Sequence, residues 1–404
     1  MKVLAINCGS STLKFQCIEF DSGKNQLVRE RKLAKGIVDR IGGKSTIQFS
    51  VNGGKSFSDF AKVADHGQAV RRVLDWLDSC ETLGDAGLTA VGHRVVHGGD
   101  LFVDPIIIND HVIKGIEAIS HLAPLHNEPA LSAIRATVAI LESDIPQAAV
   151  FDTAFHRTLP ERTARYAIPM ALAEKHNIRR YGFHGLAHRY MAERYAAIIT
   201  TPVEQAKLIT LQMGNGCSAA AIENGLSVDT SMGFTPLEGL IMGTRSGDID
   251  PSLVGFLSRQ ENVDVQEVEG WLNTRSGMLG VSGHSSDMRE LLDAEPKGNA
   301  RAALAVDMFC YRVRKYIGAY LAVLGGADAI IFGGGIGENS PQVRARICRG
   351  MEWCGLTIDQ SRNARAVGTE ALINADSSRI HAYVIPVDEE AVIARDTISC
   401  LRSR

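Results

Sequence analysis

Short apolar runs alternate with stretches of helical periodicity along this chain, and that alternation predicts the elements of its fold. Apolar runs at 2–6, 209–213 and 329–332 have the length of single buried strands. A stretch such as 68–80 instead repeats apolar positions at helical spacing, which predicts an amphipathic helix. Strands that alternate with helices are typical of α/β proteins.

Two of the predicted strands are followed by the same kind of polar turn. The strand at 2–6 leads into small polar residues at 7–12 and a returning strand at 14–20. The strand at 209–213 leads into a similar turn at 214–218, and a second strand follows at 219–222. The first turn can hold phosphate oxygens or a hydrated metal, although a plain hairpin tip has the same pattern. The second turn could cradle a nucleotide. Two such units about half the chain apart indicate a duplicated domain with a cleft between the copies.

The third strand, at 329–332, runs into a glycine-rich segment at 333–337, which is predicted to be a turn without side chains. Residues 339–342 then offer N-cap candidates and a proline for the start of a helix. This order presents backbone N–H groups to an anion, although a tight turn without a ligand has the same pattern. It is not a Walker A loop, which needs Lys-Ser/Thr after the glycines. It is not the dinucleotide fingerprint either, because the third glycine would fall at Glu338.

Other predicted elements place polar residues at the ends of strands or in loops. The strand at 147–151 ends at Asp152, where an acidic residue suits a metal or substrate contact, or simply the N-cap of a helix. The segment 123–129 is predicted to be an ordered loop. The glycine- and proline-rich segment 230–251 is predicted to be a long functional loop. A last helix is predicted from Glu390.

Composition and charge describe an ordinary globular chain. Of its 404 residues, 45% are hydrophobic and 22% are charged. The net charge of -3 gives no reason to expect nucleic acid or an anionic membrane as a partner. No apolar run approaches the roughly 20 residues of a membrane helix, and no cleavable signal is expected. The eight cysteines show no metal-binding spacing, so a cytoplasmic protein is expected.

The polar residues of these turns and loops suit phosphoryl transfer. Arg94 and Arg245 lie among glycines, where a guanidinium can reach carboxylate or phosphate oxygens. Asn7, Asp152 and Glu389 offer oxygen ligands for a hard cation such as Mg²⁺. The sequence contains no hydrolase elbow, no HExxH and no protein-kinase motif set. Phosphoryl transfer needs mainly positioning and charge stabilisation, and this set of residues supplies both.

Taken in order, these motifs resemble those of the acetate kinases, whose superfamily also contains sugar kinases, chaperone ATPases and actin. The resemblance runs nearly from end to end of the chain. Its motifs lie at 7–14, 92–99, 123–127, 151–156, 181–185, 214–216, 230–250, 335–339 and 389–390. It implies an α/β fold of two ribonuclease-H-like domains with a cleft between them. The N-terminal acetokinase domain is expected at 1–152 with 389–404, and the nucleotide-binding domain at 153–388.

The resemblance also implies a role for each matching residue. Those implied to be catalytic are Asp152, His184, Arg245 and Arg94, of which Arg94 also holds the substrate carboxylate. Those implied to surround the methyl group of the acid are Val96, Leu125, Phe183 and Pro236. Those implied to contact ATP are Ser10, Thr12, Lys14, Gln212, Met213, Gly214, Asn215, Gly216, Asp287, Met288, Arg289, Gly335, Ile336, Gly337, Glu338 and Asn339. The implied Mg²⁺ ligands are Asn7 and Glu389, with Mn²⁺ as an alternative ion.

The implied reaction is the reversible, Mg²⁺-dependent transfer of the ATP γ-phosphoryl group to acetate, which gives acetyl phosphate and ADP. A carboxylate is already a nucleophile, so Asp152 is expected to position a ligand rather than to remove a proton. Val96 favours a two-carbon acid, but one methylene is worth only roughly 1–3 kcal/mol, which leaves propionate kinase as an alternative. Gln212 and Met288 replace a histidine and a phenylalanine of the family pattern on the donor side, which leaves pyrophosphate as an alternative donor.

An alternative function, from a different class of protein, is that of a nucleotide-driven binding switch like actin or the chaperone ATPases. Arg94 and Arg245 would have no purpose in a pure switch, so the kinase reading is favoured. The resemblance alone implies a homodimer whose only other partners are the small-molecule substrates. Closure of the cleft around the substrates is expected, because acetyl phosphate has to be kept from water.

Overall fold

The structure, a computed structural model, divides into two units. It describes residues 1–21, 30–54, 56–80, 87–141 and 144–403. Unit 1 consists of Met1–Ala154 with Asp388–Arg404, and unit 2 consists of Phe155–Val387. The sequence prediction had placed the two boundaries after Asp152 and after Asp388.

Unit 1 is built on strands from the first part of the chain and one helix from the far end of the sequence. Its strands are β1 (Lys2–Cys8), β2 (Thr12–Phe20), β3 (Glu30–Asp39), β4 (Gly43–Val51), β5 (Ser56–Val63), β6 (Ala90–Val95), β7 (Ile106–Ile107) and β8 (Gln147–Phe151). Its α-helices are α1 (His66–Ser79), α2 (Asp110–Ala118), α3 (Pro124–Ile140) and α15 (Glu389–Arg402), with a 3-10 turn at Ser120–Leu122. Labels follow chain order.

One mixed sheet runs through unit 1 in the order β5-β4-β3-β2-β1-β6-β8-β7. The first five of these strands, β5 to β1, are antiparallel neighbours, whereas β6 is parallel to both β1 and β8. The hairpin predicted from the first two apolar runs is the β1–β2 pair and is confirmed.

Helices cover both faces of this sheet. Leu4 and Ile6 of β1 pack in one core with Val70 and Val73 of α1. Helix α15 packs on β1, β6 and β8, and a Cβ added at Gly92 of β6 would lie 2.2 Å from Thr397 Oγ1 of α15. Glycine at that position therefore lets the helix approach the strand closely. Side chains alternate along a strand, so Ala5, which lies between Leu4 and Ile6, faces α15 instead.

Unit 2 combines a smaller sheet with a larger number of helices. Its strands are β9 (Lys207–Met213), β10 (Cys217–Glu223), β11 (Leu226–Thr230), β12 (Ala329–Gly333), β13 (Ala371–Leu372) and β14 (His381–Val384). Its α-helices are α4 (Glu161–Ala164), α5 (Met170–Lys175), α6 (Gly185–Ile199), α7 (Ser252–Glu261), α8 (Val265–Thr274), α9 (Gly277–Ser282), α10 (Met288–Ala294), α11 (Ala300–Leu324), α12 (Gly334–Asn339), α13 (Pro341–Cys348) and α14 (Gln360–Arg365). Short 3-10 turns lie at Val203–Gln205, Glu295–Lys297 and Glu352–Cys354, and a further one, Ala154–Thr158, starts at the unit boundary. Within the described ranges, no helix combines the length and the apolar character that crossing a bilayer requires.

The two units repeat one strand topology. The unit 2 sheet has the order β11-β10-β9-β12-β14-β13, in which β12 is parallel to β9 and β14. Strands β3-β2-β1-β6-β8 and strands β11-β10-β9-β12-β14 each comprise three antiparallel strands followed by two parallel ones. The duplication predicted from the two polar turns is therefore confirmed, and so is the predicted α/β class with two ribonuclease-H-like sheets.

One predicted loop was wrong. The segment 123–129 belongs to α3, which begins at Pro124 and contains Pro129. A proline favours the first position of a helix, and one inside it removes a single N–H bond. Tertiary contacts outweigh that loss, since Asn127 Oδ1 accepts from His97 N and Asn127 Nδ2 donates to His97 O, each at 3.0 Å.

The glycine-rich segment after β12 is also more regular than predicted. It is not a bare turn, because residues 334–339 form the short helix α12 with Gly333 at its N-cap. Helix α13 then starts at Pro341 after Ser340, close to the predicted start. Gly334 has φ 73°, and a Cβ there would lie 2.7 Å from Met213 O, so this position requires glycine.

The buried His93 of β6 predicts a loss of stability in acid. Burial lowers the pKa of His93 to about 4, although its hydrogen bond to Gln147 opposes the shift. Between about pH 6.5 and pH 4 the unfolded chain binds a proton that the folded protein does not, so the free energy of unfolding falls as the pH falls. The difference in pKa corresponds to about 3 kcal/mol. Urea unfolding of His93→Gln at pH 7 and at pH 4.5 should therefore show a weaker pH dependence than the native protein.

The matched control for this experiment is His111→Gln. His111 is exposed in α2, so its replacement should leave the pH dependence of stability unchanged. If the free energy of unfolding depends on pH equally in His93→Gln and in the native protein, the loss of stability in acid is not caused by His93.

Candidate active site

Strand pairing in unit 1 places three of the predicted site residues in one row. Asn7 of β1 lies opposite Lys14 of β2 on one side and opposite Arg94 of β6 on the other. Residues that are paired across a sheet project to the same face. Arg94 is in turn opposite Val150 of β8, and Asp152 follows two positions later at the end of that strand. The carboxyl ends of parallel strands thus bring Arg94 and Asp152 together.

Arg94 joins two of these side chains by hydrogen bonds. Its Nη2 donates to Asp152 Oδ2 at 2.9 Å, and its Nη1 donates to Asn7 Oδ1 at 3.0 Å. Asp152 is fully buried. Burial lowers the pKa of Arg94, but the carboxylates of Asp152 and Glu389 outweigh it, so the net shift of the pKa is upward. The guanidinium therefore stays charged and is held in one orientation.

The Nε–H group of Arg94 differs from the Nη groups that bind Asp152 and Asn7. Its Nε is buried and makes no hydrogen bond to any described residue. A buried donor without a partner is uncommon, because it loses its water without compensation. The guanidinium therefore retains donor capacity for an anionic ligand beside the Asn7 and Asp152 contacts.

Asn7 also connects Arg94 to the carboxylates at the start of α15. Its Nδ2 donates to Glu389 Oε2 at 2.7 Å and to Glu390 Oε1 at 2.9 Å. Burial, followed by the charge of Glu389, raises the pKa of Glu390 above its ordinary value. Asp388 caps this helix by accepting from Ala391 N at 3.1 Å, which fixes its first turn.

These residues fit a cation that is shared with a ligand rather than enclosed by protein. No cluster of three or more histidine, cysteine, aspartate or glutamate side chains suitable for a metal occurs among the described residues. Glu389 is half-buried and supplies a hard oxygen donor, and Mg²⁺ typically binds one or two carboxylates plus substrate phosphates. Asn7 turns its nitrogen toward Glu389, so joint coordination by Asn7 and Glu389 needs its amide to rotate.

The other site residues predicted in unit 1 lie in the turn between β1 and β2, directly after β6, or outside the described side chains. Ser10 is exposed and Thr12 is half-buried in the β1–β2 turn, which Gly9 N closes by donating to Thr12 O at 2.9 Å. Val96 is buried directly after β6. The side chain of Leu125 lies outside the described part of the structure.

In unit 2, the turn after β9 brings His184 and Arg245 together. His184 precedes α6 with a left-handed backbone, φ 57°, and its Nδ1 lies 2.8 Å from Ser218 Oγ of β10. A Cβ added at Gly216 would lie 3.3 Å from His184 Nε2 and 3.9 Å from Arg245 Nη1. The imidazole and the guanidinium therefore both approach the same side of this turn.

Arg245 differs from Arg94 in the kind of group that holds it. Its Nη1 donates to Pro236 O at 3.2 Å, and no carboxylate within the described ranges forms an ion pair with it. Burial lowers the pKa of Arg245. A partly desolvated cation without a counter-ion attracts an anionic ligand. Of these two site arginines, Arg94 is thus fixed by an acidic side chain and Arg245 is held by a neutral carbonyl.

The predicted long loop that carries Arg245 is held by several side chains. Asp248 Oδ1 accepts from Gly239 N at 2.8 Å, and Asp248 Oδ2 accepts from Tyr316 Oη at 2.8 Å. Arg180 Nη2 donates to Glu238 Oε1 at 2.6 Å. These contacts support the loop from both ends and give Arg245 a defined position.

A cavity of about 640 Å³ in unit 2 has a size suitable for a nucleotide. Eight residues predicted to contact ATP line it: Gly214, Asn215, Asp287, Met288, Arg289, Gly335, Ile336 and Asn339. Five other residues line it without having been predicted: Ser286, Leu292, Asp293, Ser340 and Gln342. Asp287 caps α10 by accepting from Arg289 N at 2.8 Å, and the Arg289 side chain bonded to it lowers the pKa of Asp287.

Other predicted ATP residues of unit 2 lie outside the lining of this cavity: Gln212, Met213, Gly216, Gly337 and Glu338. Glu338 has a supporting position, since its Oε1 accepts from Gly334 N at 2.9 Å and from Val387 N at 3.0 Å. Gln212 Oε1 is buried without a hydrogen-bond partner in the described residues.

Sequence reasoning missed a buried arginine that supports the glycine-rich helix. Arg344 of α13 is fully buried, and its Nη1 donates to Gly337 O at 2.7 Å and to Glu338 O at 3.2 Å. It therefore satisfies carbonyl groups at the end of α12. The sequence carries no signal for this role, because an arginine in a short helix normally faces water.

The class of the protein follows from this fold and these two groups of side chains. A doubled ribonuclease-H-like topology, with arginines beside strand ends and a glycine-rich nucleotide-sized cavity, defines a kinase that transfers a phosphoryl group. The family model described as the Acetokinase family matches residues 2–395. The chain belongs to the acetokinase family.

Individual relatives match over nearly the whole chain. An acetate kinase of Solibacter usitatus is 49% identical over 407 residues, covering 99% of this chain and 98% of that protein. An acetate kinase of Bacillus subtilis is 46% identical over 399 residues, covering 98% of each. The crystal structure of an acetate kinase from Porphyromonas gingivalis has a TM-score of 0.89 at 41% identity, with 99% of both chains covered. A propionate kinase from Francisella tularensis has a TM-score of 0.89 at 38% identity, covering 98% of this chain and 99% of that chain.

Proposed function

We propose that this protein transfers the γ-phosphoryl group of ATP to acetate, giving acetyl phosphate and ADP in a reversible in-line reaction. The observation that carries the proposal is the Arg94 guanidinium, which is fixed by Asp152 and Asn7 and keeps a buried Nε–H without an acceptor among the described residues. A carboxylate or phosphoryl oxygen is the natural acceptor for such a group. The names of the relatives at 46–49% identity agree with this assignment.

The chain's own residues act by holding charge rather than by moving protons. Acetate is ionised at neutral pH and attacks directly, so Asp152 serves to orient Arg94. Charge that spreads over the equatorial oxygens of the phosphoryl group would be met by cationic and N–H donor groups, and Arg94, Arg245 and His184 are the candidates for that role.

Glu389 and Asn7 would hold Mg²⁺, with Mn²⁺ as an alternative ion. When bound, the ion supplies neutralisation of the phosphate charge. Lys14, which is exposed on β2 opposite Asn7, would add a cation beside the phosphates, and Ser10 and Thr12 would add hydroxyl donors from the neighbouring turn.

The unit 2 cavity would hold the nucleoside of ATP beside the glycine-rich helix α12. Met288 is buried in its wall at the position where the family pattern has a phenylalanine, so the base would meet a flexible apolar side chain rather than a ring. An assay with acetate and ATP, GTP or pyrophosphate side by side measures the donor preference. Turnover with pyrophosphate alone would contradict ATP as the donor.

Hydroxylamine trapping tests the reaction itself. Purified protein with acetate, ATP and Mg²⁺ should form an acyl hydroxamate at a rate that depends on acetate. Hydrolysis of ATP without acetate, and without hydroxamate, would instead favour a nucleotide-driven switch.

The choice of acid provides a further prediction. Val96 is buried, and Val96→Ala should shift the ratio of kcat/KM for acetate and propionate toward propionate, because the pocket gains room for one methylene. The expected shift is roughly 10-fold or more. A steady-state assay with both acids measures it, with Val138→Ala, at an exposed position of helix α3, as the matched control. An unchanged ratio would remove Val96 from the acid pocket.

We also propose a cytoplasmic homodimer. Leu304, Met308 and Tyr311 are exposed on α11 at spacings that place them on one helix face. A contiguous apolar face of this kind is suited to a second copy of the chain. Light scattering should give twice the mass of one chain. The cytoplasm is where the proposed donor, ATP, is made and used.

A further inference from the structure

Four side chains in unit 2 form a continuous hydrogen-bonded chain that ends at His184. Thr210 Oγ1 lies 2.7 Å from His188 Nδ1, and His188 Nε2 lies 2.8 Å from Ser218 Oγ. The same Ser218 Oγ lies 2.8 Å from His184 Nδ1. Thr210, His188 and Ser218 are completely buried, whereas His184 is only partly so. The chain therefore runs from the interior of unit 2 toward the Gly216 turn.

Strand register and helix spacing produce this arrangement. Ser218 of β10 pairs with Gln212 of β9, so Ser218 and Thr210 lie diagonally on the same face of the sheet. His184 and His188 lie four residues apart at the start of α6, where His188 N donates to His184 O at 2.9 Å. Residues at this spacing share a helix face. Two hydroxyl groups of the sheet thus meet the imidazole of the N-cap residue of α6 and an imidazole in the first turns of that helix.

The hydroxyl protons give the chain a direction. Thr210 Oγ1 makes its one hydrogen bond within the described structure to His188 Nδ1, so this nitrogen is the acceptor available for the Thr210 proton. A neutral imidazole accepts at one nitrogen and donates from the other, so His188 Nε2–H then donates to Ser218 Oγ. Ser218 in turn donates its own proton to His184 Nδ1. If His188 instead carried its proton on Nδ1, this nitrogen could not accept from Thr210, and the buried Thr210 hydroxyl would lose its acceptor, which is unfavourable.

We propose that Thr210, His188 and Ser218 are positioning residues that keep His184 in the tautomer with its proton on Nε2. The catalytic meaning of this tautomer rests on the proposed function. His184 Nε2 and Arg245 Nη1 approach the same side of the Gly216 turn. Two donors there can both bind one phosphoryl oxygen, whereas an imidazole lone pair would repel it. The hydrogen-bonded chain thus makes neutral His184 a hydrogen-bond donor through Nε2.

Nuclear magnetic resonance of the intact protein tests the tautomer without any substrate. Protein labelled with ¹⁵N-histidine reports, through two-bond correlations in each ring, which nitrogen carries the proton. The His184 signals are assigned by their loss in His184→Gln. At neutral pH, His184 and His188 should each be protonated on Nε2 alone. A proton on His184 Nδ1, or on both of its nitrogens, overturns the proposal.

Two substitutions of Thr210 separate proton direction from packing. Thr210→Val removes the hydroxyl, so His184 should show a mixture of tautomers, and kcat should fall about 10-fold with KM for acetate within about twofold. Thr210→Ser keeps the hydroxyl and should restore both the tautomer and kcat. The matched control is Thr230→Val, because Thr230 is also a buried sheet threonine but donates to Ala219 O. That control should leave the His184 tautomer unchanged.

The outcomes distinguish this inference from the proposed function. If Thr210→Val leaves the His184 tautomer and kcat as they were, or if Thr210→Ser fails to restore them, the chain serves packing only and the proposal is wrong. If Thr210→Val fails to fold, the ring correlations of the native protein and of Thr210→Ser still decide it. If no hydroxamate forms, the acetate proposal fails, while the tautomer measurement remains decisive for the hydrogen-bonded chain.

Discussion

Arg94→Ala should lose both activity and stability. An arginine that neutralises a transferring phosphoryl group is worth about 1,000-fold or more in kcat, so turnover should fall at least that far. The same change removes the guanidinium from the fully buried Asp152 carboxylate, and breaking a buried ion pair costs about 3–5 kcal/mol. Hydroxamate assays and urea unfolding measure the two effects separately.

A double variant separates catalysis from folding at this site. Arg94→Ala with Asp152→Asn removes both charges, so much of the lost stability should return while turnover remains low. Arg71→Ala, at an exposed position of α1, is the matched control and should change neither quantity. Near-normal kcat/KM in Arg94→Ala would exclude Arg94 from the site.

Arg245→Ala should lose activity to a similar extent but keep its stability. Arg245 is held by the Pro236 carbonyl and forms no ion pair with a described carboxylate, so its removal leaves no acidic group uncompensated. The free energy of unfolding should change by no more than about 1 kcal/mol, since the lost bond is a single one to a carbonyl. The contrast with Arg94→Ala is the informative result.

Chemical rescue provides an independent check on Arg245. Guanidinium added at low millimolar concentration should restore part of the turnover of Arg245→Ala, because the ion can enter the space that the side chain vacates. The exposed Arg259→Ala on α7 is the control and should behave like the native protein. Full activity in Arg245→Ala would show that the transferring group is neutralised elsewhere.

Local sequence patterns predicted much of the fold. Short continuous apolar runs marked β1, β9 and β12, and the two polar turns indicated the repeated topology. Local patterns failed where distant contacts decide the structure. Residues 123–129 contain two prolines and were assigned to a loop, but the bonds between Asn127 and His97 hold them in a helix.

The site was predicted as a set of residues but not as an arrangement. The parallel pairing of Asn7 with Arg94 joins positions far apart in the sequence, so no local pattern could reveal it. Glu390 was recognised as the start of a helix, and its bond to Asn7 becomes visible only once α15 packs on β1. Arg344 gave no signal, because its function depends on carbonyl groups of another helix.

The close contact between α15 and Gly92 has a consequence for how the protein is made. A ribosome synthesises all of unit 2 before it reaches residues 389–402, which cover the sheet face that Gly92 opens. Unit 1 therefore cannot complete its fold until α15 has been synthesised, and it exposes an apolar surface until then. Unit 2 can already fold during this time. Molecular chaperones should therefore bind nascent chains whose synthesis has been arrested before Asp388.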